Sequence, residues 1–176
     1  LFRLSATLTE PIDPACMQKA LDVTVRRFPS ICARLRKGFF WYYLEQIPAA
    51  PKLLPEGSCP VTNIPRRELR KCAFRVFVYD KRIAVEFFHS LTDGSGGLIF
   101  VKTLVAEYLR ILYGIHIPAE NMLRDLSDLP VAEETKKKAQ LQQPQLQKQL
   151  QKLQLKPHQK KILQSNLHRI QKLSVI

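Results

Sequence analysis

Every glycine and every aromatic residue of the chain lies at or before Gly114. This asymmetry limits where a core can form. Further on runs KKKAQLQQPQLQKQLQKLQLKPHQKK, a Gln, Leu and Lys mixture broken by Pro144 and Pro157. It lacks the large side chains whose burial offsets the entropy of ordering. The expected division is a folded body over residues 1–133 and a tail over residues 134–176, helical or disordered. A body of that length suffices for one domain with its own core.

The formal charge of +13 suggests a polyanion partner until it is divided along the chain. Residues 1–133 hold 18 Lys and Arg against 14 Asp and Glu, a balance of +4; residues 134–176 hold 10 against 1, a balance of +9. The charge belongs mostly to the tail. There Leu146, Leu150 and Leu153 share a helical face, as do Leu163, Leu167 and Ile170. Such basic amphipathic stretches can meet nucleic acid, an anionic membrane or a partner groove. A solvated extension is the reading preferred here, since no aromatics interleave the charge.

No apolar run approaches the roughly 20 residues that span a bilayer. Cys16, Cys32, Cys59 and Cys72 contain no C-x-x-C pair, so reduced thiols in a cytoplasmic protein are expected. The chain begins without Met and without a basic-then-apolar leader. It is expected to start partway into a reading frame.

Within the body, Phe2, Leu4, Ala6 and Leu8 alternate with polar residues, as in a strand with one buried face. Asp13 and Pro14 then cap and open a helix whose Met17, Ala20, Leu21, Thr24 and Phe28 share a face, and Pro29 stops it. Apolar runs at 31–36 and 39–47 flank Lys37-Gly38, a hairpin signal. Five prolines from Pro48 to Pro65 enforce an irregular connection. A second hairpin is expected over 73–79 and 82–88, turning at Asp80-Lys81. Residues 98–113 are apolar apart from Lys102, Thr103, Glu107 and Arg110, so this helix must pack on most sides; Gly114 suits its C′ position. The fold class is α/β (α+β), a mixed β-sheet with packed helices.

Between two of these apolar runs stands His89-Ser90-Leu91-Thr92-Asp93-Gly94-Ser95-Gly96-Gly97. Strand alternation places His89 on the face of Ile83, Val85 and Phe87, where an imidazole is either a satisfied core residue or a base held for chemistry. Asp93, if buried, needs an arginine or several N–H partners, and it fixes where His89 points. Arg75 and Arg82 are both candidates. A His89 and Asp93 metal pair lacks a third ligand. Ser95 is not flanked as in G-x-S-x-G, and no G-K-[ST] follows for a phosphate loop.

His89-Ser90-Leu91-Thr92-Asp93-Gly94 resembles the H-x-x-x-D-G motif of the chloramphenicol-acetyltransferase-like superfamily, which includes peptide-synthetase condensation domains and alcohol O-acetyltransferases. Its place after a strand and before a buried helix, with Phe28-Pro29 upstream, adds to the likeness. The resemblance covers about residues 1–129 and is greatest to bacterial alcohol acetyltransferase-like proteins. It implies the N-terminal subdomain of a two-layer sandwich. It also implies acyl transfer from an acetyl- or acyl-coenzyme A co-substrate to an alcohol or amine, with no bound cofactor and no metal. His89 would be the general base, Asp93 a structural, orienting residue, and Gly94 would leave room for substrates.

Two departures shape the expectation. Phe88 stands where many condensation domains carry a second histidine, which suits the alcohol-acyltransferase side. Nothing after Glu134 resembles the second subdomain with its D-F-G-W-type motif. A truncated, frameshift-derived tail and an impaired enzyme are therefore expected. The alternative is a degenerate, non-catalytic homologue that acts as a binding module.

Overall fold

The computed structural model describes residues 1–57 and 62–115, together with 161, 162, 164–166 and 168. Strand β1 (Phe2–Thr7) leads into helix α1 (Pro14–Arg27). A hairpin, β2 (Ala33–Lys37) and β3 (Tyr42–Gln46), follows. After it come the two-residue strand β4 (Leu54–Pro55) and the short helix α2 (Arg66–Leu69). Strands β5 (Phe74–Tyr79) and β6 (Arg82–Phe87) then lead to the long helix α3 (Gly94–Tyr113).

The main sheet has the order β1-β6-β5-β4, with β4 parallel to β5 and the other pairs antiparallel. It is the expected mixed sheet. The register sets Leu4, Val85 and Val76 abreast, and Phe2, Phe87 and Phe74 likewise. These residues face α1 and α3, and Met17, Leu21, Phe100, Leu104 and Leu109 complete the core. Phe100 meets Phe74 and Phe87 edge-on, each at 5.6 Å between ring centroids.

Helix α1 starts as its residues dictate. Asp13 accepts from the N–H groups of Ala15 and Cys16 at 2.8 and 3.0 Å, and Pro14 occupies the first turn, where no N–H is required. The Tyr108 hydroxyl of α3 accepts from the Asp13 N–H at 3.0 Å and ties the two helices together. Most of the polar stripe of α3 is buried: Lys102, Thr103 and Glu107 are each 5% exposed or less, while Arg110 is exposed. Glu107 meets Arg27 at 3.3 Å and Arg110 at 2.5 Å, so its charge is paired where it is buried. Gly114 ends α3 with φ of 65°, the left-handed C′ conformation that favours glycine.

The opposite face of the sheet holds an ion-pair ladder. Glu86, 1% exposed, lies in register between Arg3 and Arg75 and meets them at 3.2 and 2.6 Å. Glu56 bridges Arg3 to Arg82 and extends the ladder. Cys32 is buried while Cys16 and Cys72 are half-buried, all as free thiols; Cys59 lies outside the described residues.

Part of the tail docks, contrary to the expected solvated extension. Its described residues between 161 and 168 are helical, and Asn166 is buried. The Asn166 Oδ1 accepts from the Thr9 N–H at 2.9 Å and from the Thr9 hydroxyl at 2.8 Å. A buried amide with satisfied partners marks a built contact rather than a solvated face. The expected boundary at 133/134 and the leucine stripe around Leu150 lie outside the described residues.

Candidate functional site

Strand β6 ends at Phe87, and the chain turns through Phe88 to Leu91, closed by a 2.9 Å bond from the Leu91 N–H to the Phe88 carbonyl. His89 sits in that turn. Because the strand has ended, the alternation that pointed His89 into the core no longer applies. The ring is exposed, and the satisfied-core alternative falls away. His89 leans on Phe2 with ring centroids 5.1 Å apart at 59°, and Phe2 in turn stacks on Phe87 at 5.3 Å. The half-buried Phe2 ring, resting on the buried Phe87, thus supports an imidazole open to solvent.

Asp93 has a partner other than the expected arginine. It is exposed, and its Oδ1 accepts from the Gly96 N–H at 2.7 Å, which makes it the N-cap of α3. Neither candidate arginine reaches it. Arg75 is engaged by Glu86, by Glu68 at 3.6 Å and by the Thr62 carbonyl at 2.8 Å, while Arg82 meets Glu56 at 2.8 Å. The physical reason is local: an Asp three residues before a free helical N–H meets its acceptor need without a distant cation. Asp93 therefore joins the turn that carries His89 to the start of α3 through the backbone.

The glycines serve close approach. A Cβ at Gly97 would lie 3.1 Å from Leu4 Cδ1 and 3.1 Å from Phe2 Cε2, so its absence lets α3 settle onto β1 beside the ring that supports His89. A Cβ at Gly96 would lie 2.1 Å from Thr92 Oγ1, which folds over the first turn. Gly94 is the first residue of α3, so the helix starts before its apolar run at Leu98. His89, Asp93 and Gly94 thus gather at one junction of strand and helix. Phe2 and Gly97 also belong to the site, and only the long-range pairing of β1 with β6 reveals the part played by Phe2.

Phe88 packs with the small cluster of Ile64, Leu69 and Ala73 and has a structural use of its own. Among the described residues, no group of three or more His, Cys, Asp or Glu is placed to hold a metal ion. None of their helices is long and apolar enough to cross a membrane.

No family model matches the chain, and no curated protein does. Solved structures do match. The SgcC5 protein from Streptomyces globisporus, solved with (R)-(-)-1-(2-naphthyl)-1,2-ethanediol and sucrose, aligns at 17% identity with a TM-score of 0.52. That alignment covers 83% of this chain and 36% of SgcC5. The X-domain solved as a complex with OxyB from teicoplanin biosynthesis aligns at 18% identity and a TM-score of 0.50, over 84% and 34% of the two chains. The starter condensation domain of rhizomide synthetase RzmA aligns at 14% identity and a TM-score of 0.50, over 84% and 40%. The chain spans between a third and two fifths of the length of these neighbours. At such identities a fold is what they share, and fold alone does not fix function. The mixed sheet and its packed helices form part of a condensation-domain-like fold.

Proposed function

We propose that the chain is part of an acyltransferase that moves an acetyl or acyl group from coenzyme A to an alcohol or amine, with His89 as general base. The observation that carries this reading is the exposed His89 imidazole, held on Phe2 at the strand end of a condensation-domain-like fold. In the reaction the imidazole takes the acceptor's proton as its oxygen or nitrogen attacks the thioester carbonyl. The tetrahedral intermediate collapses, the C–S bond breaks, and the leaving thiolate takes the proton back from the imidazolium. No acyl group is attached to the protein at any stage.

Asp93 and Gly94 act by position. The cap sets where α3 begins, and the turn carrying His89 is anchored to it. With a phenylalanine at 88 there is no paired histidine, which supports an alcohol acceptor over peptide-bond condensation. A cytoplasmic location fits the free thiols and the coenzyme A donor.

The test is thiol release from acetyl-coenzyme A by the purified chain with short alcohols and amines. The expected result is turnover above the uncatalysed rate that falls about 100-fold or more in His89→Ala, the usual scale of a lost general base. Turnover unchanged in that variant would end the proposal. A second reading is a non-catalytic binding module, favoured by the neighbour solved as an X-domain with OxyB. Saturable coenzyme A or acceptor binding with no turnover in either protein would select it.

A further inference from the structure

The β2–β3 hairpin exposes six consecutive large apolar side chains: Phe39 91%, Phe40 82%, Trp41 69%, Tyr42 50%, Tyr43 45% and Leu44 39%. Its base is anchored. Ala33 and Ile47 are buried, the Ala73 N–H donates to the Ala33 carbonyl, and the Ile47 N–H donates to that of Cys32. A free two-stranded ribbon is marginal in water, so this anchoring is what holds the arm in shape. The tip is the turn Gly38–Trp41, closed by a 2.7 Å bond from the Gly38 N–H to the Trp41 carbonyl.

Polarity along the arm is graded. Phe39, Phe40 and Trp41 lead. Behind them come the cross-strand pairs Lys37 with Tyr42 and Arg36 with Tyr43, and then Arg34, which shares Glu45 with Arg36 at 2.5 and 3.0 Å. Apolar rings, amphipathic phenols and cations follow one another in the order of hydrocarbon, interface and phosphate met at a bilayer surface. The leading rings sit in the turn just beyond Lys37, the last residue of β2, so cations stand directly behind the apolar tip.

We propose that this hairpin is a peripheral membrane anchor that seats Phe39, Phe40 and Trp41 in the interface of an anionic phospholipid bilayer while Lys37 and Arg36 face the lipid phosphates. Charge favours this occupant over a protein partner. Three cations against one carboxylate on the arm, on a chain of net charge +13, complement anionic lipid. The inference does not depend on the role of His89.

The test uses the intact chain, whose single tryptophan is Trp41. It is mixed with vesicles of phosphatidylcholine alone or in equal mixture with phosphatidylglycerol, and with the same vesicles carrying brominated acyl chains. Anionic vesicles are expected to shift Trp41 emission to the blue, and brominated chains to quench it. Phe39→Ser with Phe40→Ser, both exposed and neutral to folding, is expected to weaken vesicle co-sedimentation about tenfold or more. Sedimentation with unshifted Trp41 emission would assign binding to the basic tail and overturn the proposal. So would absence of binding, or a Trp41 already shielded by self-association without lipid.

Discussion

Replacing Asp93 by alanine removes the acceptor that the Gly96 N–H meets at 2.7 Å. Loss of an N-cap costs about 0.5–2 kcal/mol. The upper part of that range applies, because Gly94, Gly96 and Gly97 fall in the first turn of α3 and each is about 1 kcal/mol less helix-favouring than alanine. We therefore expect Asp93→Ala to cost about 1.5 kcal/mol, a fall in Tm of roughly 3–6 °C for a chain of this size. Asn caps as well as Asp, so Asp93→Asn gives up only the charge at the helix N-terminus, about 0.5 kcal/mol. Thermal and guanidinium unfolding of the two variants give the global loss, and amide exchange at Gly96 and Gly97 reports whether the first turn frays. Were Asp93→Asn as damaging as Asp93→Ala, or were the loss to vanish in high salt, the carboxylate's charge would be what matters and the cap assignment would fail.

Glu86→Ala leaves two guanidinium groups facing an uncompensated gap. Breaking a buried pair costs about 3–5 kcal/mol, and the low end applies because Arg3 and Arg75 keep Glu56 and Glu68; a loss under about 1 kcal/mol in denaturant unfolding would refute the ladder's importance. Burial pushes the Cys72 thiol up to about 11 from an ordinary 9.0. Its thiolate fraction at pH 8 is thus about 100-fold below that of an ordinary thiol, and iodoacetamide should modify Cys72 only after unfolding, a result read by peptide mass mapping. The same shift makes the fold less stable as pH climbs from 9.0 through about 11, where the unfolded thiol ionises before the buried one.

The elements legible in the sequence are those whose cause is local. Alternation gave β1, β5 and β6 their limits within a residue or two, and Asp13 with Pro14 marked the start of α1. At Phe39–Trp41 the signal misled: an apolar run read as strand is a turn, because nothing local says whether apolar side chains are buried. β4 hides in the proline-rich connection, a two-residue edge strand that tolerates Pro55. Glu86 was legible only as a residue opposite the apolar face; its burial depends on Arg3 and Arg75, which the sheet brings from 83 and 11 residues away. At the site, position was readable and partnership less so. His89 and Asp93 lie at one strand–helix junction, yet the cap replaced a salt bridge because the helix begins four residues before its apolar run.

Antiparallel pairing of β1 with β6 has a consequence during synthesis. Phe2 lies opposite Phe87, so β1 has no β6 partner until some 85 further residues have been made. At 5–20 residues per second that is a wait of roughly 4–17 s. Through that interval the nascent segment keeps both apolar side chains and backbone donors open to other chains, a window in which a chaperone would find its binding site in β1.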